Sequence, residues 1–163
     1  MLTSVFSHAS LMHLGFNSLA LISFSSAAWW ILQDMQNHAP SGLQEATPKW
    51  HFLAFYIAAG LASSYISHVA QASRLRFVLR NIAKPERAAA ALKAAASIKP
   101  SLGASGAIYA TVALTAFYYP STAVNIMFIP IAVPIGAAVS GMVALDVLGI
   151  IRGWQMFDHW AHL

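Results

Sequence analysis

The chain has 163 residues, of which 58% are hydrophobic and only 9% charged, with a mean hydropathy of +0.62 and no cysteine, whereas soluble domains average about 25% charged residues. So few polar side chains cannot cover a globule of this size, and the apolar surface they leave calls for lipid: the composition reads as an all-α, polytopic membrane helix bundle. The absence of cysteine excludes disulfides, thiolate nucleophiles and sulfur-ligated metal centres, and a net charge of +4, concentrated in one segment, gives no case for nucleic acid.

In chain order, Met1 is followed by Leu2-Thr3-Ser4 with no basic leader region, and the chain stops at Leu163 inside an apolar stretch, so the bundle reads as incomplete at both ends. A spanning helix needs about 20 mostly apolar residues. The predicted spans are residues 11–32, closing on Trp29 and Trp30, then 50–70, 103–119 and 123–151, with the start of a last span at 153–163. Pro130 and Pro134 predict a kink or a late start in the fourth. Small residues recur at the four-residue spacing of closely approaching membrane helices, as in Gly136 with Ser140 and Gly149 with Gly153. Seven of the nine basic residues, Arg74 to Lys99, fall in a stretch at 71–102 that reads as a solvated, Ala-rich loop facing the cytoplasm or, in a mitochondrion, the matrix.

Polar groups at membrane depth are costly and are functional candidates by default. Three clusters qualify. His13 and Asn17 stand one helical turn apart at the start of the first span, with His8 on a different face; Ser105 lies between Gly103 and Gly106 at the start of the third; Asp158, His159 and His162 open the last. Spans separated by one intervening span run in the same direction, so these clusters meet at one side of the membrane. A serine needs a base to become a nucleophile, a tetrahedral intermediate needs donors for its oxyanion, and imidazole and amide groups supply both.

These residues resemble a known family. FSHxSLxHxxxN, GASGAIYA and FDHxAHL, in that order along the chain, look like the motifs of the rhomboid intramembrane serine proteases, with the wording of the last two nearest the mitochondrial presenilin-associated rhomboid-like branch. The resemblance implies a multi-pass protein of the mitochondrial inner membrane that cleaves transmembrane segments of other proteins, within the lipid bilayer and without cofactor or metal. It implies a dyad of Ser105 as nucleophile and His162 as general base. His13, Asn17 and the Ser105 backbone N–H would receive the oxyanion, Tyr109 would pack on the catalytic imidazole, His8 would be structural, and Gly103 and Gly106 would let the serine helix meet the histidine helix. His159 precedes His162 by three residues, but without HExxH or cysteine an HxxH metal pair is a weak reading. Asp158 and Asp146 are both expected to lie outside the catalytic set. The rival reading is a catalytically inactive rhomboid-like protein that binds membrane helices in trafficking or quality control, and presence of both Ser105 and His162 counts against it. A channel subunit lined by His13, Asn17 and His162 leaves GASG unexplained.

Overall fold

In the computed structural model the described residues are 2–40, 48–82, 85–96, 104–125, 131–154 and 159–162. Gly103, Asp158 and Leu163 lie outside them. A short 3-10 turn at Thr3–Phe6 leads to six helices: α1 (Leu11–Asn37), α2 (Pro48–Ile82), α3 (Pro85–Ala96), α4 (Ser105–Tyr118), α5 (Ile135–Arg152) and α6 (His159–His162). Between α4 and α5 lie two short strands, β1 (Ala123–Asn125) and β2 (Ala132–Pro134), paired antiparallel with Val124 opposite Val133.

Among the described residues α1, α2 and α5 are long and apolar enough to cross a membrane. Their outward faces remain bare, with Leu11 87%, Ile22 74% and Ile151 74% exposed, which suits lipid and not water. The helix α4 has 14 residues and is about 21 Å long, short of the ~30 Å of a hydrocarbon core. It occupies the centre of the bundle, in contact with α1, α2, α5, α6 and the N-terminal turn. Ala107, Thr111 and Ala116 are buried along it, and the hydroxyls of Thr111 and Thr115 donate back to the carbonyls one turn earlier, at 2.9 and 3.0 Å, so that neither remains unsatisfied. The core at its N-terminal end joins Val5, Tyr56, Ala104, Ala107 and Ile108.

Two segments differ from the sequence-based reading. The stretch 71–102 is not a loop where it is described: α2 continues as one helix to Ile82, and α3 follows. Arginine, lysine and alanine are strong helix formers, and Val78 and Ala91 are buried where α3 folds back on α2. The fourth span, in turn, begins at Ile135 and not at residue 123. Pro134 has no N–H for a longer helix and a φ that suits the residue before the first turn. The first N–H groups of α5 are taken by the preceding segment, Ile135 N–H donating to the Thr122 carbonyl at 2.8 Å and Gly136 N–H to the Pro120 carbonyl at 2.9 Å. The other end of α5 closes on Gly153, whose φ of +67° permits the left-handed turn that lets Trp154 N–H reach the Gly149 carbonyl at 2.8 Å.

Glycine sets how closely the helices approach. A Cβ at Gly106 would overlap the Ser63 hydroxyl on α2 and come within 3.0 Å of the Ala161 carbonyl on α6, whereas Gly15 on α1 faces open space. Gly106→Ala is therefore expected to destabilise the bundle by about 1–3 kcal/mol through overpacking, and Gly15→Ala to stabilise it by about 0.5–1 kcal/mol through helix propensity. Thermal unfolding of the two variants in detergent checks the opposite signs.

Candidate active site

One end of α4 collects the polar residues of the bundle. Ser105 is the first residue of the helix and Ile108 is the first whose N–H finds an intrahelical acceptor, the Ala104 carbonyl at 2.9 Å. The Ser105 N–H is thus one of the helix's leading donors without a partner inside the helix. Its hydroxyl oxygen lies 3.2 Å from Nε2 of His162, close enough for the serine to donate its proton to the imidazole. The helix α6 is held against the bundle by the Ser63 hydroxyl of α2, which donates to the Ala161 carbonyl beside His162. Gly106 is what allows this approach.

Tyr109, one turn along α4 from Ser105, lies flat on the His162 ring, with centroids 4.7 Å apart and planes 8° from parallel. Its hydroxyl donates to Asp146 Oδ2 at 2.9 Å. This stacking restrains the ring while leaving its edge nitrogens free to bond.

His13 is built into the start of α1. Ser10 is the N-cap, its hydroxyl accepting from the His13 N–H at 3.1 Å, and His13 Nδ1 accepts from the Ala9 N–H at 3.3 Å. Ser10 thus caps the first turn of α1, and the His13 ring holds the residue just before the cap. The bond from Ala9 requires Nδ1 to be unprotonated, so a neutral His13 carries its proton on Nε2 and can donate from there. His8 stands edge-on to His13 with ring centroids 5.5 Å apart.

Asn17, one turn along, is buried, and its Nδ2 has no hydrogen-bond partner among the described residues. It faces a cavity of about 330 Å³ whose lining includes Phe6, His8, Phe52, Tyr56, Ala104 and Ile108. Most of that wall is apolar. A buried amide with an unused donor is costly, and here it lines the same cavity as Ala104, the residue that precedes Ser105. Such a site can bind an apolar chain and offer an N–H to an oxygen at the serine.

Sequence reasoning set Asp146 outside the catalytic set and did not single out Ser63. Asp146 is 5% exposed on α5 and contacts Tyr109, His159 and His162. Its only signal was an ionisable residue in the middle of an apolar span, and Ser63 had no signal beyond a polar residue on α2. The structure brings together Ser105, His162, Tyr109 and Gly106, and sets His8 and Asn17 in the wall of the neighbouring cavity, with His13 against His8.

The Rhomboid domain family model matches residues 1–163. The chain is 34% identical to the mitochondrial presenilin-associated rhomboid-like proteins of Mus musculus and of Homo sapiens, each over 100% of this chain and 34% of the relative. It is 26% identical to the mitochondrial Rhomboid protein 1 of Saccharomyces cerevisiae, over 98% of this chain and 36% of that protein. The chain thus spans about a third of the length of these curated relatives. No solved structure matches it.

If the unpartnered amide of Asn17 burdens the fold, Asn17→Leu, which fills nearly the same volume without a polar group, leaves stability unchanged or raises it by about 1 kcal/mol. Urea or thermal unfolding in detergent reads the sign.

Proposed function

We propose that this chain, which belongs to the rhomboid family, carries the site of an intramembrane serine endopeptidase in which Ser105 attacks a peptide bond and His162 moves the proton. Its apolar spans and mitochondrial relatives make it a multi-pass mitochondrial membrane protein, and the inner membrane is its proposed place. The observation that carries the reading is the 3.2 Å separation of Ser105 Oγ from His162 Nε2, with the ring held flat on Tyr109.

The chemistry follows from that geometry. As Oγ attacks the scissile carbonyl, its proton passes to Nε2 and the carbonyl oxygen becomes an oxyanion. The Ser105 N–H, Asn17 Nδ2 and His13 Nε2–H are the proposed donors to that oxygen. They are fixed in place before charge develops, which is where such donors gain most of their effect. The imidazolium then protonates the leaving amine, and an acyl group remains on Ser105. Water, deprotonated by the same imidazole, releases the acyl group and returns the proton.

The substrate class follows from the surroundings. The cavity wall of Phe6, Phe52, Tyr56 and Ile108 suits apolar side chains of an unwound transmembrane segment, whose exposed backbone is otherwise expensive in lipid. The relatives' name, presenilin-associated, agrees with membrane-protein partners. Presence of both Ser105 and His162, in bonding distance, weighs against a purely helix-binding protein.

The test is reaction of the detergent-solubilised full-length protein with a fluorescent fluorophosphonate. Wild type is expected to label, and Ser105→Ala and His162→Ala to fall to background while remaining folded. A folded wild type that does not label contradicts the reading. Asn17→Ala is expected to slow peptide cleavage about a hundredfold, the scale on which removal of one oxyanion donor acts, which a quenched transmembrane-peptide assay measures.

A further inference from the structure

Asp146 has no part in a two-residue mechanism, yet its burial and contacts are unusual for a carboxylate inside an apolar helix. An acidic group at membrane depth is expensive and persists where partners hold it. Here the partners come from two helices. Tyr109 of α4 donates to Oδ2 at 2.9 Å, His159 Nδ1 of α6 bonds Oδ1 at 2.6 Å, and Nδ1 of His162 lies 3.5 Å from the same Oδ1. The third of these is the catalytic imidazole itself and the other two flank it: Tyr109 is the ring stacked on it, and His159 stands one turn before it on α6.

We infer that Asp146 is the positioning residue of this site, orienting His162 through Nδ1 as the third member of a Ser105–His162–Asp146 chain, with His159 and Tyr109 holding the carboxylate in place. The inference rests on the serine-protease reading above. The physical argument is one of tautomers. A carboxylate only accepts hydrogen bonds, so Asp146 facing Nδ1 favours the ring form with its proton on Nδ1 and the lone pair on Nε2. That is the form able to take the Ser105 proton. When the proton arrives on Nε2 the ring becomes a cation, and the adjacent carboxylate stabilises it without itself being protonated. The charge is undone when the proton leaves for the amine.

The local sequence is arranged for this contact. Gly149 lies one turn beyond Asp146 on α5, and a Cβ there would overlap the ring of His159. A larger residue would push His159 away from the carboxylate, so the small residue serves the hydrogen bond as well as helix approach. A tyrosine and a histidine that only filled space would need no charged partner. The carboxylate is explained by the one neighbour whose charge changes during the reaction.

Two measurements on the full-length protein in detergent test the inference. The first is the rate of inactivation by a fluorophosphonate for wild type and Asp146→Asn. The asparagine keeps the shape but presents an amide donor to Nδ1, which favours the unreactive tautomer. The limiting inactivation rate is expected to fall about ten- to a thousandfold, less than or comparable to the loss seen when a triad aspartate is replaced, while the probe concentration giving half that rate stays within about twofold. A limiting rate within about twofold of wild type overturns the inference. The second uses wild type alone, so it stands even if Asp146→Asn does not fold: ring 15N spectra of histidine-labelled protein, with the His162 signals assigned by their loss in His162→Ala. A proton on Nδ1 and a bare Nε2 are expected. A neutral His162 carrying its proton on Nε2 overturns the inference. A wild type that never reacts with the probe defeats the protease reading instead, and the ring spectra still decide where Asp146 directs the His162 proton.

Discussion

The approach of α6 to α4 across Gly106 is the contact on which the site depends, because it brings His162 within bonding distance of Ser105. The helix α6 is placed from three sides. The Ser63 hydroxyl fixes the Ala161 carbonyl, the missing side chain at Gly106 makes room for both, and Asp146 takes the imidazole of His159. His162 is carried to Ser105 by those restraints. The first and the last use polar atoms that would otherwise be unsatisfied in an apolar environment, so the same polar groups hold the helices together and line the site.

Stability and chemistry pull apart at the other wall of the site. Around Ser105 and His162 the hydrogen-bonding groups find one another, but among the described residues Asn17 keeps a buried donor unused and faces an apolar cavity. A fold selected only for stability would place a leucine there. The same reasoning applies to His13, whose Nδ1 is occupied in capping α1 so that the opposite nitrogen carries the proton. A group held in one tautomer before substrate arrives has nothing to reorganise during the reaction.

Much of this is legible in the sequence, for identifiable reasons. The spans follow from composition, and the nearness of Ser105 to His162 follows from odd-numbered spans opening on one side. Tyr109 is readable because i and i+4 share a helix face. Asp146 is not, since no helical or strand period connects α5 with α6, and its partners come together only when three helices meet. The helical course of residues 71–82 and 85–96 is hidden behind a run of charges that also suits a solvated loop. The late start of α5 is marked by Pro134, but the pairing of β1 with β2 depends on a partner strand, which propensity does not supply.

The central claim is that Ser105, and no other hydroxyl in this polar cluster, is the activated nucleophile. Peptide mapping by mass spectrometry after treatment with diisopropyl fluorophosphate addresses it directly, because the cluster also contains Ser63, Ser10 and Tyr109 as competing hydroxyls. The account predicts a single diisopropylphosphoryl adduct, formed with loss of fluoride, on the peptide bearing Gly103-Ala104-Ser105-Gly106, with Ser105 as the modified residue. An adduct on another residue of the cluster, or none on a folded protein, would contradict it.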